Sequence, residues 1–109
     1  MDQKKLGGQT VRFASPPVIL GFGCAVGQKE GQGPLAKYFD HIGQDDTFGE
    51  KSWEKAETAL QKKALAIALE KASLEANCLD YLFAGDLLNQ CMATAYSVRS
   101  QDVPFFGLY

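Results

Sequence analysis

The sequence has few of the residues that build metal, redox or histidine-dependent sites. Among its 109 residues there are three cysteines and one histidine. Cys24, Cys78 and Cys91 are not spaced as metal ligands and their number is odd, so we expect reduced, at least partly packed thiols. Any histidine-dependent triad or metal site within the chain would have to use His41, which we expect to be a solvated loop residue. We therefore predict no catalytic residue, no metal site and no cofactor.

Long apolar runs and a strong net charge are also absent. No stretch approaches the roughly 18 consecutive apolar residues of a membrane span. The first 13 residues contain lysines but no apolar region after them, so no secretory signal is predicted and cytosolic synthesis and residence are expected. A net charge of -2 argues against a broad nucleic-acid-binding surface. The content of 46% hydrophobic and 22% charged residues is typical of a globular chain.

The apolar pattern that is present predicts alternating strands and helices. A long helix is expected between the apolar runs at 18–20 and 79–84. A second helix is expected between the run at 79–84 and the run that begins at 103. The run at 79–84 is apolar on both faces, as expected for a parallel sheet that is covered on both sides. The predicted strands lie at 10–13, 18–20, 79–84 and from 103 onward, with a helical turn at 35–39 and a second helix at 87–99. This order predicts an α/β fold with crossover helices on a mostly parallel sheet. Because the last strand breaks off at its apolar part, we expect residues 1–109 to be the N-terminal part of a larger domain.

The long helix is predicted from Trp53 to Asn77. Ser52 is a good N-cap, and Asn77 tolerates the left-handed conformation that ends many helices. Apolar residues recur at three- and four-residue steps, which predicts one buried stripe with Trp53 packed in the core. The stripe consists of Trp53, Ala56, Leu60, Ala64, Ile67, Ala68 and Ala72.

Two glycine-rich stretches are similar in part to phosphate-binding motifs. Gly21–Gly27 follows a predicted strand, but Val26 stands where a dinucleotide fingerprint requires its third glycine. Gly27–Gly33 lacks the Gly-Lys-Ser/Thr ending that places a lysine and a hydroxyl on phosphates and Mg²⁺. Neither stretch therefore predicts a nucleotide site.

Asp86 is the residue with the strongest positional signal. It follows a predicted parallel strand and opens a predicted helix, which is where open α/β sheets place ligand sites. An aspartate there also acts as an N-cap by accepting from the free amides of the first helical turn. The two roles are compatible, because a capping carboxylate has a second oxygen. Asn89 and Gln90, one turn later, would add amide groups near the same rim, and we predict Asp86 and Asn89 as ligand-binding residues.

Several stretches together resemble one known family. The segments are "GQKEGQGPLAKYFD", "SWEKAE", "LFAGDLLNQ" and "VPFFGLY". In order and spacing they are similar to the N-terminal part of the stage V sporulation protein AD family, over residues 9–109. The resemblance implies a partial thiolase-like fold and a non-catalytic role in spore formation and germination. In that role the protein binds dipicolinic acid, with Ca²⁺, and supports its uptake into the developing spore.

The resemblance also implies partners, a location and an alternative function. The partners would be integral membrane proteins of the same sporulation operon. The location would be peripheral, on the cytoplasmic face of the forespore inner membrane. The resemblance is also compatible with a homodimer. In the family the acid of "AGDLLNQ" belongs to the ligand pocket, which corresponds to Asp86. Dipicolinate is a dianion, so Asp86 would contact it through a bridging Ca²⁺ or a shared proton, or act only as a cap. The alternative is a fragment of a thiolase- or ketoacyl-synthase-type condensing enzyme that acts on acyl thioesters.

Overall fold

The computed structural model describes residues 5–89 and 91–108, and it has the predicted α/β composition. The strands are β1 (Lys5–Leu6), β2 (Thr10–Val11), β3 (Ala25–Val26), β4 (His41–Ile42), β5 (Leu82–Ala84) and β6 (Phe105–Gly107). Two strand pairs are parallel, β3 with β4 and β5 with β6, and one is antiparallel, β1 with β2. The helices are α1 (Gln28–Gly31), α2 (Trp53–Ala72) and α3 (Met92–Val98), with 3₁₀ turns at Ala36–Tyr38 and Ala76–Cys78. The mixed α/β class is confirmed, whereas the partial thiolase-like fold and the assignment of 1–109 to one part of a domain stay predictions.

Helix α2 begins where the sequence predicts and ends earlier. The Ser52 side chain accepts a hydrogen bond from the Lys55 amide at 3.3 Å, which confirms the N-cap. The predicted end at Asn77 is wrong, because Ser73 takes the left-handed conformation with φ 54°. The Ser73 and Leu74 amides then bond back to the last turn of the helix, an arrangement that closes a helix end. Asn77 lies in the following 3₁₀ turn.

The predicted buried stripe of α2 is confirmed only in part, since Ala56 is its one buried member and its members from Leu60 to Ala72 are half-buried. Ala56 is buried, but Trp53 is 59% exposed and does not pack in a core. Helical spacing determines which side of the helix Trp53 faces. It does not determine whether another element covers that side, and here Trp53 is left uncovered although Ala56 in the same turn is buried.

The predicted strand at Val18–Leu20 is also wrong. The segment forms no strand pair within the described part of the chain, and its three side chains are 66–86% exposed. The chain that follows it is held against α2 instead. A Cβ built on Gly23 would lie 2.5 Å from the Ala64 carbonyl oxygen, so only glycine allows this close approach. The small residues of α2 therefore pack closely against Gly21 and Gly23, which belong to no strand.

The polar stretch between residues 25 and 49 contains more structure than the sequence indicates. His41 is not a loop residue, since it lies in β4 and pairs with Ala25 of β3. The carboxylate of Asp40 accepts from the Cys24 amide at 2.9 Å and forms an ion pair with Lys71 of α2. The hydrogen bond from Lys71, followed by that from the Cys24 amide, lowers the pKa of Asp40 from its ordinary value of 3.8. The ion pair between Asp40 and Lys71 therefore holds the stretch between residues 25 and 49 against the C-terminal half of α2.

Strands β5 and β6 form the predicted parallel pair, although only one face of it is covered. Strand β5 begins at Leu82, three residues later than the predicted 79–84 strand. Phe83 stacks on Phe106 with ring centroids 5.2 Å apart, and Phe83 is 62% exposed. The expectation of cover on both faces is therefore wrong for this pair.

Helix α3 packs against α2 and contains most of the buried residues. The predicted start at 87 is wrong, because the helix begins at Met92 after a bend-rich loop. Its buried residues are Ala93, Thr94, Ser97 and Val98. No helix in the described residues is long and apolar enough to cross a bilayer.

Candidate functional site

Asp86 caps α3, but from outside the helix. Its Oδ1 accepts a hydrogen bond from the Thr94 amide at 2.8 Å. Thr94 is the third residue of α3 and is fully buried, so its amide is one of the free donors of the first turn. The residue directly before the helix, Cys91, has φ 71° and makes no side-chain cap. Asp86 thus provides the cap from eight residues upstream of Thr94. The predicted capping role is confirmed, whereas the prediction that Asp86 itself opens the helix is wrong.

Gln61 of α2 connects Asp86 with the buried face of α3. Its Nε2 lies 3.3 Å from the Gly85 carbonyl oxygen, 3.4 Å from Asp86 Oδ1 and 3.4 Å from Thr94 Oγ1. Its Oε1 accepts from the Ser97 hydroxyl at 3.0 Å, and that hydroxyl also lies 2.8 Å from the Thr94 carbonyl oxygen. One amide side chain therefore joins the end of β5, the loop and α3 in a single polar network.

The second oxygen of Asp86 has a different environment. Asp86 Oδ2 is buried and has no hydrogen-bond partner within residues 5–89 and 91–108. A buried oxygen of a carboxylate without a partner costs free energy, so such atoms call for a physical explanation. An acceptor of this kind suits a bound cation or a protonated group of a ligand, and it disfavours an anion.

The loop between β5 and α3 is held by acidic side chains of α2. Asn89 Nδ2 donates to Glu54 Oε1 at 2.7 Å. The carboxylate of Glu57 accepts from the Leu87 and Leu88 amides at 2.7 and 3.3 Å. The loop residues Asp86 and Asn89 therefore contact different partners. Gln90, which sequence reasoning placed at the same rim, lies outside the described residues.

Sequence reasoning missed the residues of α2 that build this site. Glu54, Glu57 and Gln61 are spaced three and four residues apart, so they share one face of the helix. This spacing is visible in the sequence, but the sequence does not show which segment of the chain the three polar side chains contact. The partner is a loop about 30 residues later in the chain, with contacts that span 24 to 36 residues.

The cysteines and the glycine-rich stretches do not form a second site within the described residues. Cys24 is half-buried, whereas Cys78 and Cys91 are exposed, so the expected packing of the thiols is wrong for two of them. Part of the Gly27–Gly33 stretch is helical, with the Gly31 amide bonded to the Gly27 carbonyl oxygen at 3.3 Å. In the described chain no three histidine, cysteine or acidic side chains are grouped to hold a metal ion.

The comparisons with known proteins identify the family. The family model for stage V sporulation protein AD matches residues 7–109. The protein named stage V sporulation protein AD of Bacillus subtilis (strain 168) is 39% identical over 106 residues, which cover 97% of this chain and 31% of that relative. The chain thus spans about a third of the length of the curated relative that it matches. The chain belongs to the stage V sporulation protein AD family.

Proposed function

We propose that this chain is part of a non-catalytic sporulation protein that binds dipicolinic acid, together with Ca²⁺, and supports its uptake into the developing spore. The proposal rests on the family membership and on what the family resemblance implies. The observation that carries it is the buried Asp86 Oδ2, which has no partner in residues 5–89 and 91–108. It lies just after β5, where α/β sheets place their ligand sites.

The charge of the site determines the form in which the ligand would bind there. Asp86, Glu54 and Glu57 surround the loop with negative charge, and free dipicolinate is a dianion. A direct contact between them would be repulsive, whereas Ca²⁺ binds carboxylate oxygens readily. Dipicolinate offers two carboxylates and a ring nitrogen to the ion, and Asp86 would add one more oxygen. Asn89 Nδ2 is already bonded to Glu54, so Asn89 would contribute its amide oxygen.

We also propose the fold, the location and the partners of the complete protein. The complete protein would have a thiolase-like fold without thiolase activity. It would associate peripherally with the cytoplasmic face of the forespore inner membrane, through integral membrane proteins of the same operon. The fold, the location and the partners are implied by the family resemblance and concern the whole protein, of which this chain would be one part.

Calorimetric titration of one Asp86 variant and one control variant tests the role of the site. Asp86→Asn keeps an oxygen that can accept from the Thr94 amide but loses the charge, so the fold should persist while calcium dipicolinate binding weakens. Asp80→Asn, which changes an exposed aspartate outside the network, is the matched control and should bind as the unchanged chain does. If Asp86→Asn binds calcium dipicolinate as tightly as the unchanged chain, Asp86 is a cap and not a ligand residue.

The condensing-enzyme alternative is tested on the same protein. Incubation with an acyl thioester followed by intact-mass spectrometry would show an added acyl group if Cys24, Cys78 or Cys91 acts as a nucleophile. We expect the mass to stay unchanged. An acylated thiol, formed with release of the free thiol of the donor, would favour the enzyme and contradict the non-catalytic proposal.

A further inference from the structure

The carboxylate of Asp86 is held through one of its two oxygens. Oδ1 accepts from the Thr94 amide of α3 at 2.8 Å and lies 3.4 Å from Gln61 Nε2 of α2. Oδ2 is buried and has no partner among residues 5–89 and 91–108. The terminal torsion of an aspartate is broad, so a single hydrogen bond leaves the direction of the free oxygen poorly defined. A second donor on the same oxygen, from another helix, restricts that direction.

The neighbours of Gln61 determine which end of its amide faces Asp86. Gln61 Nε2 lies 3.3 Å from the Gly85 carbonyl oxygen and 3.4 Å from the Asp86 carboxylate, and both of these groups can only accept. On its other side, Gln61 Oε1 accepts from the Ser97 hydroxyl at 3.0 Å. A turned amide would place its oxygen against two acceptors. The Gln61 amide therefore donates toward Asp86.

Both donors to the Asp86 carboxylate are uncharged. Within the part of the chain that the structure describes, Asp86 forms no ion pair. Lys62 and Lys63 follow Gln61 directly in α2, but both are exposed. A lysine or arginine donor would hold the carboxylate more strongly, but it would also neutralise it. A neutral amide holds the carboxylate and leaves its charge for a bound cation.

We infer that Gln61 is a positioning residue of the ligand site. It holds the Asp86 carboxylate with Oδ1 toward α3 and Oδ2 free, and it does so without neutralising the charge. Gln61 acts through Asp86 and does not bind the ligand itself, because its amide is already engaged by Gly85, Asp86 and Ser97. The inference rests on the proposed function, since it assigns Gln61 a role in binding the calcium chelate of dipicolinate.

The contacts of Gln61 allow its role in binding to be separated from a role in folding. When Gln61 Nε2 is removed, Asp86 Oδ1 keeps the Thr94 amide, and the Ser97 hydroxyl keeps the Thr94 carbonyl oxygen at 2.8 Å. Gly85 is exposed, so its carbonyl group can bond to water. Gln61→Met keeps the length of the side chain and loses the amide. This variant should therefore fold, and its Thr94 amide should still exchange slowly.

Binding of the one-to-one chelate of Tb³⁺ with dipicolinate tests the inference. Tb³⁺ is a hard cation that takes oxygen ligands as Ca²⁺ does. Its luminescence lifetime lengthens when a water leaves the ion, so lifetimes in water and heavy water report the hydration of the bound ion. If Asp86 Oδ2 binds the ion, the chelate should lose a water on binding to the unchanged chain. Gln61→Met should bind the chelate about tenfold more weakly, and the bound ion should keep that water.

Three further variants make the result specific. The affinity that remains in Asp86→Asn should fall no further when Gln61→Met is added, because Gln61 acts through the Asp86 carboxylate. Gln61→Lys keeps a donor for Oδ1 but adds a positive charge, so it should fold and bind the chelate more weakly than the unchanged chain. Gln32→Met, at an exposed glutamine outside the network, is the control and should bind as the unchanged chain does.

The outcomes separate this inference from the proposed function. If the unchanged chain binds the chelate and Gln61→Met binds it equally tightly, with the same hydration of the ion, the role of Gln61 is overturned and the proposed function stands. An equal loss of affinity from Gln61→Met with and without Asp86→Asn would also overturn it, because Gln61 would then act independently of Asp86. If the unchanged chain does not bind the chelate, the proposed function is contradicted and the positioning role is rejected with it.

Discussion

Asp86→Ala is the change whose effect on stability follows most directly from the structure. The substitution removes the acceptor of the Thr94 amide, which is fully buried at the start of α3. A buried donor left without a partner costs about 1–3 kcal/mol. Gln61 retains the Gly85 carbonyl and the Thr94 and Ser97 hydroxyls as partners, so its contacts add little to the loss.

The loss of Asp86 Oδ2 has the opposite effect on the free energy of unfolding. Asp86 Oδ2 is buried without a partner among the described residues, so its removal recovers part of its desolvation cost. We therefore expect Asp86→Ala to lower the free energy of unfolding by about 1–2 kcal/mol, toward the lower end of the range for a buried unpaired donor. For a domain of this size the midpoint of thermal unfolding should fall by about 4–8 °C for each kcal/mol.

Urea unfolding followed by circular dichroism measures this loss, and hydrogen exchange locates it. The Thr94 amide should exchange faster in Asp86→Ala than in Asp86→Asn, whose side-chain oxygen still accepts. Asp80→Ala is the control, and a surface change of this kind is expected to stay within about 0.5 kcal/mol. Equal stability of Asp86→Ala and the unchanged chain, or unaltered exchange at Thr94, would refute the capping network.

Three further predictions concern the contacts around α2. Gly23→Ala would place a methyl group 2.5 Å from a backbone oxygen of α2 and should cost about 1–3 kcal/mol in a urea titration, whereas Gly8→Ala, with open space around it, should cost little. An equal loss in both variants would contradict the close packing. Because folding lowers the pKa of Asp40, its ion pair contributes stability above the ordinary value of 3.8 and loses it as the pH falls through the lowered pKa. Asp40→Asn should therefore flatten the acid limb of the pH–stability curve, and an unchanged limb would count against this contact. Glu57→Gln should speed hydrogen exchange at the Leu87 amide, and unchanged exchange would show that the carboxylate does not hold the loop.

Local signals predicted the parts of the fold that depend on neighbouring residues. Ser52 begins α2 as predicted because an N-cap acts within one turn of its own position. The end of α2 was misplaced because Ser73, and not a glycine or asparagine, takes the left-handed conformation. Residues other than glycine and asparagine rarely adopt it, so nothing in the local sequence marks this end.

The candidate site shows where local reasoning stops. Asp86 was recognised from its position after β5, and its capping role from its side chain. Its actual partner, Thr94, could not be predicted, because the intervening loop delays the start of α3 until Met92. The contacts of Glu54, Glu57 and Gln61 with that loop depend on how distant segments pack. Composition alone predicts a strand at Val18–Leu20, but a strand requires a partner, and these residues pair with none in the described chain. The close contact with α2 begins only after them, at Gly21 and Gly23.

Equilibrium dialysis of the 109-residue chain against dipicolinate, with and without Ca²⁺, tests the central claim most directly. We predict saturable retention of dipicolinate by the folded chain when Ca²⁺ is present, and weaker retention by Asp86→Asn under the same conditions. No retention by the folded chain at any concentration, in either condition, would contradict dipicolinate binding as the function of this part of the protein.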